Sequence, residues 1–159
     1  MVSTMKIRIL LIALCALLFL PSCKKNNWMD WQAENEVWLV RNAKQDSIVL
    51  TPTGLQYKVI RQGVASIKPD NAKTVVINYK GWLITGDVFD QAENATSAVS
   101  DLIQGFAEGL KKMNKSGHYI LYIPSNLGYG SAGSGTQGYA NYIPPYSTLI
   151  FDVTLIDVY

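Results

Sequence analysis

The side chains with which this chain could do chemistry are mostly aromatic. Tyr79, Phe89, Phe106, Tyr129, Tyr142 and Phe151 fall at the ends of regular segments. With Ile103 and Ile143 they could line an apolar pocket carrying a few polar tips. The same residues could equally be ordinary core. Sets for covalent or acid–base chemistry are missing. There is no Ser–His–Asp arrangement, no glycine loop that would cradle phosphate, and no paired carboxylates in a shared motif. His118 is the sole histidine. The pattern offers it no base, nucleophile or metal partner, so it reads as a solvated strand residue. Cysteine and histidine do not cluster, so neither a metal site nor a cofactor is expected.

One short helix and several strands must position these residues. Ile103, Phe106, Ala107, Leu110 and Met113 recur at helical spacing within Leu102–Met113, giving one apolar stripe. Glu108 and Lys112 at i, i+4 suit an exposed face. Lys111, Lys112 and Lys115 suit the negative end of the helix dipole, and Gly117 is available to end the turn. Strand alternation is clear for Leu55, Tyr57 and Val59, for Val75, Ile77 and Tyr79, for Tyr119, Leu121 and Ile123, and for Leu149, Phe151, Val153 and Leu155. Residues 91–101 read as a polar loop, and Gly128 to Ile143 as a long loop with five glycines and three tyrosines. A single helix covering an antiparallel sheet, an α+β fold, is the economical arrangement.

Upstream, the pattern predicts a helix from about Trp28 to Asp46, broken by Thr51-Pro52-Thr53-Gly54. Trp28, Trp31 and Trp38 could share a face and must bury somewhere. Packing back on the same domain is favoured, and a homodimer contact is the alternative. Residues 1–22 carry Lys6 and Arg8 followed by an apolar run from Ile9 to Leu20, as in a secretory signal. Of fourteen basic residues, twelve remain without Lys6 and Arg8, against twelve acidic. A balance of zero gives no argument for nucleic acid as a partner.

The order of the motifs carries a resemblance. Tyr79-Lys80-Gly81-Trp82-Leu83, Gly86-Asp87-Val88-Phe89-Asp90, and Leu102-Ile103-Gln104-Gly105-Phe106-Ala107-Glu108-Gly109-Leu110 are similar to the FKBP-type peptidyl-prolyl isomerases. So are Ile123-Pro124, Leu127-Gly128-Tyr129-Gly130, and the run from Ile143-Pro144-Pro145 to Phe151-Asp152-Val153. The resemblance spans residues 54–158. It implies a twisted five- to six-stranded antiparallel sheet wrapped around one short helix, with an N-terminal helical extension. It implies isomerisation of X–Pro bonds in proline-containing segments of unfolded or exported proteins, without a cofactor. Tyr79, Phe89 and Phe151 would be the pocket walls. Phe106 would be the floor, where many members have tryptophan, with Leu102 and Ile103 at the entrance and Tyr142 and Ile143 on the far rim. The Ile103 N–H and the Tyr129 hydroxyl would each hold a substrate carbonyl, and Asp90 would stand near the twisting amide. Ser97 matches a position where many members carry an aromatic residue, and Ser131 to Gly138 adds a glycine-rich segment.

The ending Leu20-Pro21-Ser22-Cys23 resembles a bacterial lipoprotein signal, with Cys23 lipidated as the first mature residue. That implies attachment to the membrane of the bacterial cell envelope, on the periplasmic side or the cell surface. The chain then divides into a signal at 1–22, a lipidated tether and short helix at 23–50, and the isomerase domain at 51–159. A chaperone or binding module using the same pocket with little turnover, or a structural envelope lipoprotein, are the alternatives.

Overall fold

A computed structural model describes residues 28–64 and 67–159. The expected signal and Cys23 lie outside the described residues. In chain order the elements are α1 (Trp28–Asn42), β1 (Ile48–Leu50), β2 (Gln56–Arg61), β3 (Thr74–Trp82), β4 (Val88–Ala98), α2 (Gln104–Lys112), β5 (His118–Ile123) and β6 (Leu149–Val158). Short 3-10 turns occupy Val99–Asp101 and Ser125–Leu127. The strands form one antiparallel sheet in the order β1-β2-β5-β6-β3-β4. The fold is therefore α+β, six-stranded, with a helical extension ahead of it, as the residue pattern and the resemblance implied.

The core is the seam between α2 and one face of the sheet. Leu149, Phe151, Val153 and Leu155 of β6 alternate inward, as do Tyr119, Leu121 and Ile123 of β5 and Val75 and Ile77 of β3. Phe106, Ala107, Leu110 and Met113 face them from the helix side, all buried. The helix comes close because two of its residues are glycines. A Cβ at Gly105 would stand 2.4 Å from Ile123 Cγ2, and one at Gly109 would stand 2.4 Å from Leu121 Cδ1.

Four expectations change in detail. The N-terminal helix ends at Asn42 rather than near Asp46, and Ile48–Leu50 adds an edge strand to β2. Residues 91–98, read as a loop, continue β4 as an edge strand. Their polar sequence misleads because an edge strand with little burial has no need of apolar alternation. The left-handed residue after α2 is Ser116 (φ 67° at Ser47 is the comparable case, and φ 65° here), not Gly117. Gly117 is needed for space instead, since a Cβ there would meet the Asn114 carbonyl at 2.8 Å.

The extension packs back on the domain. Trp38 stands with its ring 5.8 Å from that of Tyr122, on the face of the sheet away from α2. Asn35 and Asn42 are the buried residues of α1, while Met29, Val37 and Val40 are exposed. No helix among the described residues is long and apolar enough to cross a membrane.

The glycine contacts yield a test. Gly105→Ala should lower stability by ~1–3 kcal/mol through overpacking, although alanine is the better helix former. A denaturant midpoint that stays put or rises would show that Ile123 yields without cost.

Candidate active site

Two irregularities in the β3–β4 pair build the site. Asp90 pairs with Gly81 and Val88 with Trp82, so Phe89 is an extra residue in β4. Such a bulge re-aims neighbouring side chains. It lets Phe89 enter the core while Asp90 borders a cavity. Gly81 makes room for this, because a Cβ there would lie 2.7 Å from both the Phe89 and the Phe151 rings. Farther along, Ile77 pairs with Ala95 and Tyr79 with Ala92, so β4 again carries an extra residue. Asn94 takes a left-handed backbone (φ 52°) there and donates its N–H to Asn78 Oδ1 at 2.7 Å.

The cavity, about 300 Å³, opens between the start of α2 and the sheet. Tyr79, Asp90, Leu102, Ile103, Phe106, Tyr129 and Phe151 all line it, as seven of the ten residues singled out for the pocket. Phe106 packs edge-on against Phe151 with ring centroids 4.7 Å apart, and edge-on against Tyr79 at 6.0 Å. Phe89 stands behind that wall, its ring perpendicular to Phe151 at 5.4 Å. Ile143 is 4% exposed and belongs to the core, its N–H and C=O paired with Ser134. Tyr142 is half-buried and its N–H donates to the Tyr139 carbonyl at 3.1 Å. Phe89, Tyr142 and Ile143 are thus not among the lining residues.

Ile77, Ala95, Thr96, Ser97 and Asp101 complete the lining. Ile77 shares the inward face of β3 with Tyr79, so alternation alone could have found it. Ala95, Thr96 and Asp101 had no such signal, because the segment that holds them reads as a loop. Ser97 does reach the cavity, with a small polar side chain where an aromatic ring would narrow it.

The polar end is a pair. Tyr79 donates its hydroxyl to Asp90 Oδ2 at 2.7 Å. Burial first, then the hydrogen bond and the negative charge of Asp90, pushes the Tyr79 phenol up to about 12. Burial and the same charge also push the Tyr129 phenol up. Both hydroxyls therefore remain donors throughout the neutral range, and Asp90 is held by a donor rather than by a cation. His118 lies on the other face of the sheet, and contrary to expectation it has a partner, with Nε2 2.6 Å from Asp152 Oδ1. No group of three or more metal-binding side chains occurs among the described residues.

The arrangement is an apolar cradle edged by two carboxylates, Asp90 and Asp101, and two phenols. It suits binding and conformational strain of a ligand rather than proton or group transfer. Comparison with known proteins gives the same direction. The family model described as FKBP-type peptidyl-prolyl cis-trans isomerase matches residues 65–156. The FKBP-type isomerase FkpA of Escherichia coli K12 is 40% identical over 133 residues, which is 81% of this chain and 47% of the relative. The outer membrane protein MIP of Legionella longbeachae is 37% identical over 80% of this chain and 54% of the relative. The chain thus spans about half the length of these curated relatives. Among solved structures, FkpA from Escherichia coli superposes with a TM-score of 0.75 at 39% identity, covering 82% of this chain and 60% of that one. A peptidyl-prolyl cis-trans isomerase from Pseudomonas syringae pv. tomato gives 0.72 at 25% identity, covering 80% and 92%.

A tyrosinate absorbance titration tests the electrostatics. A folded-state pKa raised above that of the unfolded chain keeps the proton on, so Tyr79 contributes stability below about pH 10 that is lost as pH rises towards 12. The wild-type minus Tyr79→Phe difference curve should show this phenol still protonated where ordinary tyrosines, near ~10, have ionised. In Asp90→Asn the same difference curve should move down in pH. Ionisation near pH 10 in both backgrounds would show that the Tyr79–Asp90 pair does not form.

Proposed function

The chain belongs to the FKBP-type peptidyl-prolyl cis-trans isomerases, and we propose that it catalyses cis–trans exchange at X–Pro bonds in proteins of the bacterial cell envelope. The observation that carries this reading is the cavity of about 300 Å³ walled by Tyr79, Phe106 and Phe151, with Asp90 and Tyr129 at its edge. A proline ring is apolar and compact, and suits such a cradle.

The chemistry required is modest. Rotation about a peptide bond is resisted by ~18–20 kcal/mol because of its partial double-bond character. In X–Pro the two isomers differ by only ~0.5–1 kcal/mol, yet exchange takes tens to hundreds of seconds. A catalyst need only favour the twisted amide over the planar one. Planarity carries charge separation, which an apolar wall solvates poorly, so the pocket favours the twisted form. Ile103 stands just ahead of the first turn of α2, where helix N–H groups lack intrahelical acceptors, and its N–H would hold a substrate carbonyl. The Tyr129 hydroxyl would hold another. Asp90, fixed by Tyr79, would act on the twisting amide through its field, without exchanging a proton. Phe89 would support the Phe151 wall from behind. Tyr142 and Ile143 would shape the far rim through the backbone of their loop. Phe106 in place of an indole keeps an aromatic floor and forgoes one N–H donor.

Attachment through lipid on Cys23 and export by residues 1–22 belong to the same proposal, supported by the Leu-Pro-Ser-Cys ending. A relative named as an outer membrane protein fits an envelope setting. Several acyl chains on one cysteine anchor firmly where a single one binds weakly.

Two measurements decide. In a cis-to-trans assay on short X–Pro peptides, Tyr129→Phe should lower kcat/KM by about two- to tenfold, one hydrogen bond of ~0.5–1.5 kcal/mol. Asp90→Asn should lower it by about tenfold or more, since contacts to a charged group contribute ~1.5–3 kcal/mol. Folded wild-type protein that accelerates no such peptide would end the enzyme reading, and retained binding of unfolded protein would then favour a chaperone. Separately, Cys23→Ala should move the protein from the membrane to the soluble fraction. A wild-type protein that is already soluble and carries no lipid would refute the anchor.

A further inference from the structure

The inward face of α1 is more polar than packing alone requires, and the contacts of Trp31 and Asn35 converge on one loop. Trp31 donates its Nε1–H to Ser147 Oγ at 3.1 Å. Ser147 in turn donates to the Pro144 carbonyl at 2.7 Å. Asn35, 2% exposed, accepts the Thr148 backbone N–H at 2.7 Å and donates to the Trp31 carbonyl at 2.8 Å. These partners lie 113 and 116 residues away in sequence. A buried backbone N–H is costly to leave unpaired, so the Asn35 contact is one that the fold must make.

The loop so held does not line the cavity itself but is tied to the turn that carries Tyr129, which does. Pro144 follows Ile143, whose backbone is pinned to Ser134. Tyr146 donates its N–H to the Gly130 carbonyl at 2.8 Å, next to Tyr129. Tyr146 itself takes a left-handed backbone, φ 63°. Bulky residues adopt that region only where the surroundings over-determine it. The two residues that follow it, Ser147 and Thr148, are those gripped by Trp31 and Asn35.

We infer that α1 is a clamp that sets the position of the Tyr142–Thr148 rim and the Tyr129 turn, with Trp31 and Asn35 as positioning residues for the peptide that enters the pocket. The inference rests on the prolyl-isomerase reading only for the identity of that peptide. Asn42 supplies the internal comparison. It donates to Gln56 Oε1 at 2.9 Å, and Gln56 donates to the Leu39 carbonyl at 3.0 Å. That contact fastens the other end of the same helix to β2, away from the rim.

The experiment uses the full chain and three variants, Trp31→Phe, Asn35→Ala and Asn42→Ala. Amide hydrogen exchange is followed at residues 142, 143 and 146–148, which flank the two prolines, and kcat and KM are separated with an X–Pro peptide. Trp31→Phe and Asn35→Ala should speed exchange in the rim about tenfold and raise KM about three- to tenfold, with kcat within about twofold of wild type, as expected when roughly one hydrogen bond of positioning is lost. Asn42→Ala should lower the melting temperature and leave both rim exchange and KM alone. Trp31→Phe keeps the ring, so it reads the hydrogen bond even if Asn35→Ala folds poorly. Unchanged rim exchange in folded Trp31→Phe and Asn35→Ala would overturn the clamp. So would a KM rise of equal size in Asn42→Ala, which would mean general loosening. A wild-type protein without isomerase activity would instead defeat the reading of the pocket, and rim exchange would still decide for or against the clamp.

Discussion

Phe106 set edge-on against Phe151, centroids 4.7 Å apart, is the contact on which the rest of the site depends. On one side of α2 two glycines bring the helix down onto Ile123 and Leu121 of β5. On the other side aromatic rings prop it away from β6 and β3. A helix drawn in along one flank and held off along the other leaves a gap at its start, and that gap is the cavity beside Leu102 and Ile103. The edge-on arrangement also suits the ring quadrupoles, contributing ~0.5–1.5 kcal/mol beyond area burial. Perpendicular or steeply inclined rings at Phe89, Phe151, Phe106 and Tyr79 extend the same geometry from the core to the pocket wall.

The polar side of the site follows from where this wall ends. The extra residue at Phe89 sends one aromatic side chain into the core and leaves the next residue, Asp90, at the cavity's edge. Tyr79 then does two jobs. Its ring closes the wall against Phe106 and Phe151, and its hydroxyl holds the Asp90 carboxylate at 2.7 Å. The carboxylate is thus held beside an apolar surface by a neutral donor rather than by a cation.

The N-terminal helix shows a different principle. Its buried residues are Asn35 and Asn42, while Val37 and Val40 face outward. Hydrophobic burial is tolerant of sliding, whereas paired amides are satisfied in one register only. Docking by amides therefore specifies where the helix sits more sharply than apolar contact would. Thr148 Oγ1 is the one buried side-chain polar atom without a partner among the described residues, and it lies at the same junction. The junction thus combines several polar contacts with one unsatisfied hydroxyl.

Period and composition were enough to determine the apolar stripe of α2 and the inward faces of β3, β5 and β6, because each depends only on burial against a partner of any kind. The order of short motifs was enough to place Tyr79, Asp90, Leu102, Ile103, Phe106, Tyr129 and Phe151 around one pocket. The bulges at Phe89 and Asn94 were not legible, since an extra residue exists only relative to the strand it pairs with. For the same reason β4 hid in a polar segment, and the cavity lining from Ala95, Thr96 and Asp101 hid with it. Tryptophans on α1 announced that the helix must dock, but not that Trp31 and Asn35 would meet Ser147 and Thr148 more than a hundred residues away. Side-chain amides pair with whatever backbone the fold brings within 3 Å, and only the tertiary structure decides which backbone that is.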